Sequence, residues 1–137
     1  MMNGINDVII LAARLFLAML FLIFGYRKLR DYSGTVRQMV QDGLPMPAAA
    51  AGVAIFMELP VAFAVAVGAF TRPSAALLVL YTLGTSLAEH RYWTVRGEGQ
   101  LESMEAFYKN LGIMGGFLLL CITGAGRYSI DALCGLA

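Results

Sequence analysis

Apolar positions fall in four long runs, at 8–25, 48–70, 74–93 and 106–123, separated by short polar stretches. Each run is close to the ~20 residues a helix needs to cross about 30 Å of hydrocarbon. The pattern predicts four membrane-spanning helices in a single domain over 1–137. The first run is expected to persist as a span rather than act as a cleaved leader. The segment before it, MMNGIND, carries an acid and no base, Arg14 interrupts the run, and no small-residue cleavage pattern follows.

The connections predict further elements. Thr35 and Gln38 have capping-box spacing, Val36, Met39 and Val40 share a helical face, and Gly43 and Pro45 follow. A short amphipathic helix over 35–42, lying on the membrane surface, is expected. Thr71, Arg72 and Pro73 read as a tight turn, 94–105 as a polar loop, and Gly124 with Gly126 as the close of the fourth span. Arg27, Lys28, Arg30, Arg37, Arg91 and Arg96 lie in the first and third connections, with Lys109 beside them, against Arg72 and Arg127 opposite. That imbalance predicts cytoplasmic first and third connections and both termini outside. Tyr26, Tyr92, Trp93 and Tyr108 fall at the span ends on the basic side, as an interfacial aromatic belt would.

Composition agrees with a membrane protein. The 137 residues are 59 % hydrophobic and only 14 % charged, with a net charge of +1. A soluble fold of this size could not hide so much apolar surface. A disordered chain, a basic nucleic-acid binder and an ordinary cytosolic enzyme are excluded. Cys121 and Cys134 form no CxxC pair and no zinc spacing, so neither a disulfide nor a metal site is expected.

Within these spans the ionisable residues stand out. Glu58 lies near the centre of the second run, where a carboxylate costs about 3 kcal/mol to insert. Such a charge must face protein, pair or be protonated. Ala51, Ala54, Ala62 and Ala69 lie within about 40° of it on the helix, a small-residue stripe that admits a second helix, and Pro60 follows two residues on. Arg14, about 6 Å away in depth by helical rise, is the expected partner of Glu58. A purely structural ion pair and a polar centre for a ligand both fit that pair.

A second polar layer joins Glu89 and His90 to Lys109 and Asn110 at matching depth, with Thr82, Thr85 and Ser86 extending it inward. His90, Lys109 and Asn110 are expected to share one cavity. With Arg14 and Glu58 they form the set of candidate ligand-binding residues. Gly112 and Gly116 form a GxxxG for helix packing, expected within one chain, with an oligomer seam as the alternative. One histidine excludes a bis-histidine haem or metal site within one chain, and no catalytic triad or phosphate loop is present.

These residues resemble the DoxX family of small bacterial inner-membrane proteins over nearly the whole chain. The matching stretches are Arg14 with FGYRKL, GLPMP, MELP around Glu58, GAFTRP, the His90 region, FYKN and the closing TGAGRYSID. The closing motif departs from the family's G-P-G, with Ala125 in place of the proline.

The resemblance implies a four-helix membrane bundle and a relation to the membrane subunit of a thiosulfate:quinone oxidoreductase. It implies an accessory role in a membrane redox system, with quinone as the cofactor and a redox enzyme as partner. No cysteine pair here could itself carry electrons, so redox chemistry requires a partner or a bound quinone. A small-molecule carrier and a non-catalytic assembly protein are the competing readings.

Overall fold

The computed structural model describes residues 4–89, 92–94 and 96–135, and among them every regular element is helical. In chain order these are α1 (Gly4–Arg30), α2 (Tyr32–Gln41), α3 (Pro47–Val67), α4 (Thr71–Glu89), α5 (Gln100–Thr123) and α6 (Ile130–Leu133). One 3-10 turn, Tyr92–Thr94, lies between α4 and α5. Three helices, α1, α3 and α5, are long and apolar enough to cross a bilayer. The run expected at 74–93 forms α4, which buries Thr71, Ser74, Thr82 and Ser86 among its apolar neighbours.

Most element boundaries differ from the sequence expectation, each for a local reason. The first helix does not stop at Gly25 but continues through Arg30, because nothing in YRKLR breaks a helix and its bases suit the C-terminal dipole. The surface helix starts at Tyr32, not Thr35. Its cap is Asp31, whose Oδ1 accepts from the Gly34 N–H at 3.1 Å. Thr35 lies inside the helix and donates to the Asp31 carbonyl at 2.9 Å, so the expected capping box is absent. Of the expected apolar face, Met39 is buried while Val40 is exposed.

Thr71, Arg72 and Pro73 are not a turn but the first turn of α4, where proline's missing N–H costs nothing. The reversal is made by Gly68 to Phe70. The third connection is shorter than expected, since QLESME already belongs to α5.

One apolar cluster joins the four long helices. Ala18 and Phe21 of α1 meet Val61, Ala62 and Val65 of α3, Ala75 and Leu78 of α4, and Phe117 and Leu120 of α5. A second, smaller cluster seats Met39 of α2 on Ala51 and Ala54 of α3. Ala51, Ala54 and Ala62 are buried, so the small-residue stripe predicted beside Glu58 does admit other helices. Outward-facing Phe16, Phe63, Leu119 and Ile122 give the fold an apolar exterior suited to hydrocarbon. Rings of Tyr92, Trp93, Phe107 and Tyr108 pack edge to face and tilted between the 3-10 turn and the start of α5.

Candidate functional site

Glu58 stands where α3 widens. Met57–Val61 forms one π-helical turn. Pro60 explains it, since proline supplies no N–H and crowds the carbonyl one turn back. The widened turn carries the Glu58 side chain toward α1 and α4. There α1 comes very close, because Gly25 has no side chain. A methyl at Gly25 would lie 2.8 Å from Glu58 Cβ and 3.0 Å from the Glu58 carbonyl carbon. Glycine is the residue that permits this approach.

The partners of Glu58 are Lys28 and Tyr81. Lys28 Nζ lies 2.8 Å from Oε1, forming an ion pair, and the Tyr81 hydroxyl donates to Oε2. Both carboxylate oxygens are thus engaged, as a nearly buried charge requires. The Lys28 side chain is 27 % exposed against 4 % for Glu58, so its ammonium keeps donors available beyond the pair. Lys28 also stands 5.9 Å from the centre of the Phe24 ring, and Phe21 packs edge-on against Tyr81.

Two grooves meet at this cluster. The larger, about 860 Å³, is lined by Lys28 and by residues of α1, α2 and the end of α4. The smaller, about 290 Å³, has apolar walls from Met39, Leu44, Val53 and Ala54, and its polar members are Tyr81, Thr85 and Glu89. Met39 and Glu89 line both, so they divide one groove from the other. Glu58 therefore touches the open groove through Lys28 and the apolar groove through Tyr81.

The expected Arg14–Glu58 pair does not form. Arg14 donates instead to the backbone carbonyls of Ala66 at 3.1 Å, Tyr128 at 2.9 Å and Ala125. The physical reason is depth. Glu58 packs against Gly25, and Arg14 is eleven residues back along α1, about 16 Å by helical rise.

Arg14 belongs to a second polar cluster that fastens 124–135 to the bundle. Asp131 accepts the Phe70 N–H at 2.7 Å and the Thr71 N–H at 2.8 Å, capping the start of α4 from 60 residues away in sequence. Those bonds hold Phe70 at φ 46°, in the left-handed region. Burial would raise the Asp131 pKa, but the two amides and the Arg14 charge outweigh it and hold the carboxyl below its usual range. Gly68, at φ 76°, admits Ser129, which would collide with any Cβ there. Most of this cluster's hydrogen bonds go to the fold, although the buried Arg14 Nε and Thr71 Oγ1 have no hydrogen-bond partner among the described residues.

The second expected layer is only partly assembled. Asn110 donates to Ser86 Oγ at 3.0 Å, and Ser86 donates to the Thr82 carbonyl at 2.8 Å, which stitches α4 to α5. Lys109 is exposed, and His90 lies outside the described residues. Neither Lys109 nor Asn110 lines either groove. Of the glycine pair, Gly116 packs on Leu17 of α1, whereas Gly112 has open space beside it.

The sequence reading missed Lys28 and Tyr81. A signal for Lys28 was present. Arg14, Ala18, Phe21 and Gly25 are buried in alternating steps of four and three, and Lys28 continues that stripe. It is masked because the apolar run ends at Gly25 and Lys28 falls among the orientation charges of the first connection. Tyr81 sits beside Thr82 in an apolar helix and offered no comparable mark.

Comparison with known proteins finds relatives named as inner-membrane proteins. The DoxX family model matches residues 9–91. The chain is 45 % identical over 126 residues to "Inner membrane protein YphA" of Escherichia coli (strain K12), covering 92 % of this chain and 90 % of that protein. It is 37 % identical over 132 residues to "Inner membrane protein YqjF" of the same organism, covering 96 % of each. No solved structure matches the chain. The matched segment contains Lys28, Glu58 and Tyr81, and the chain belongs to the DoxX family of inner-membrane proteins.

Proposed function

We propose that this protein is a four-pass membrane component of a redox system that holds the head group of a quinone at Tyr81, Lys28 and Glu58. In this reading α4 is the fourth crossing helix, the first and third connections face the cytoplasm, and both termini lie outside. The observation that carries the reading is the smaller groove. Its walls are mostly apolar, and its polar members are Thr85, Glu89 and Tyr81, whose hydroxyl is already ordered by Glu58. A quinone has the same division, with carbonyls that accept hydrogen bonds and an apolar tail. Tyr81 gives its one proton to Glu58, so its oxygen meets the head group as an acceptor, from a hydroxyl of the reduced quinol form, while the free donors are those of Lys28 on the side of the larger groove. The chain has no cysteine pair to pass electrons, so a redox enzyme would act as partner.

The test is the quinone content of the purified protein. Mild-detergent preparations of the wild type are expected to retain isoprenoid quinone, and Tyr81→Phe to lose about tenfold, the effect of one good hydrogen bond. Folded yield should be unchanged. Equal quinone in wild type and Tyr81→Phe would leave the cluster as a structural ion pair. Labelling of single cysteines at 98 and 135 with an impermeant reagent tests the orientation. The reading requires 135 to be labelled and 98 protected.

A further inference from the structure

We propose that the larger groove binds the headgroup of an amine-bearing zwitterionic phospholipid, with its phosphate toward Arg27 and Arg30 and its ammonium toward Asp42 and Glu89. The groove, of about 860 Å³, lies between the end of α1, the length of α2 and the end of α4. Arg27, Lys28 and Arg30 line it with Asp31, Asp42 and Glu89, so its formal charges cancel. They are nevertheless distributed over different elements. The bases all sit on the last turn of α1, whereas Asp42 follows α2 and Glu89 ends α4.

The charges are also unevenly committed. Lys28 is taken by Glu58, and Asp31 caps α2. Arg27 and Arg30, three residues apart and so on neighbouring helical positions, make no ion pair among the described residues. Glu89 makes neither a hydrogen bond nor an ion pair there, although it lies within electrostatic range of Asp42 and Lys28. Asp42 accepts one hydrogen bond, from Gln38 Nε2 at 3.1 Å, but pairs with no cation among the described residues. What remains without a counter-charge is a pair of guanidiniums on one element and a pair of carboxylates on two others.

Two guanidiniums suit a phosphate, and two carboxylates suit a primary ammonium. The groove's level along α1 suits a lipid. The apolar run ends at Gly25, the bases begin at Arg27, and Phe24 lines the groove beside them. That is the boundary where phosphates of a bilayer lie. A net-neutral groove gives no advantage to an anionic lipid. A choline headgroup has no N–H to give the carboxylates. This site shares Lys28 and Glu89 with the cluster described above, but it does not rest on the quinone reading and stands if that reading fails.

The test is competitive lipid retention by the whole protein in detergent, read by native mass spectrometry. An equimolar mixture of phosphatidylethanolamine, phosphatidylcholine and phosphatidylglycerol is offered. The wild type is expected to retain phosphatidylethanolamine about tenfold over phosphatidylcholine. Asp42→Asn with Glu89→Gln should abolish that preference while leaving total retention. Arg27→Gln with Arg30→Gln should lower retention of all three lipids. Equal retention of the ethanolamine and choline lipids by the wild type overturns the proposal, as does a phosphatidylglycerol preference. Soluble phosphoethanolamine is offered separately. Failure to displace the lipid at millimolar concentration supports a membrane ligand, and displacement at the lipid's own concentration overturns the lipid assignment.

Discussion

Lys28 and Glu58 form an ion pair of 2.8 Å between the last turn of α1 and the π-helical turn of α3. Each helix needs its own local feature for the pair to exist. α1 must remain helical beyond Gly25, and α3 must widen at Pro60. Lys28→Met would leave the Glu58 carboxylate without its counter-charge. Losing one partner of a buried pair costs roughly 3–5 kcal/mol in soluble proteins, and the part-exposed Lys28 points to the lower end. Denaturation in detergent should show Lys28→Met with Glu58→Gln to be less damaging than the sum of the single changes. Additive losses would mean the pair contributes nothing to stability.

The glycines of α1 and α5 separate close packing from open space. Gly25→Ala puts a methyl 2.8 Å from Glu58 Cβ and should cost about 1–3 kcal/mol, as overpacking does. Gly112→Ala meets nothing within 4 Å and should be neutral or raise stability by roughly 0.5–1 kcal/mol through helix propensity. Thermal unfolding in one detergent compares them. Equal effects would contradict the α1–α3 contact.

Arg14→Met should release the segment 124–135 without disturbing the Glu58 cluster. Hydrogen exchange is expected to rise in that segment, because the carbonyls of Ala125 and Tyr128 lose their donor. Combined with Glu58→Ala, the losses should add to within about 0.5 kcal/mol, since the two residues share no partner. Strong coupling would restore the direct pairing expected from the position of each residue within its apolar run.

The contrast shows which information the sequence carries. Hydropathy located the four long helices and the short helix after the first, but α1 begins four residues before its apolar run and ends five after it, and α5 begins six residues early, because polar helical ends carry no apolar signal. It also marked Glu58 and Arg14 as residues that must be satisfied. It could not choose their partners. The centre of an apolar run does not fix depth in the folded bundle when a helix extends past its run, as α1 does. Asp131 was equally hidden, since a carboxylate capping a helix 60 residues away leaves no local pattern.

Asp131 also sets a pH dependence. Its folded-state pKa lies below the unfolded value of about 3.9, so the stability it contributes is fully present above that value. It is lost as pH falls through the lower, folded pKa. The difference in melting temperature between wild type and Asp131→Asn should therefore be constant from neutral pH down to about pH 5 and shrink in more acid solution. A difference that grows on acidification would contradict the capping role.

The central claim is that the polar end of the bundle's apolar groove, at Tyr81 and Glu58, is a ligand site. Photolabelling with an azido-quinone, followed by peptide mapping, tests it most directly. The account predicts label on α2, α3 and α4 around Met39, Val53 and Thr85, competed by unlabelled quinone and lost in Tyr81→Phe. Label concentrated around Lys109 and Asn110, or spread over the outer faces of α1 and α5 without competition, would contradict it.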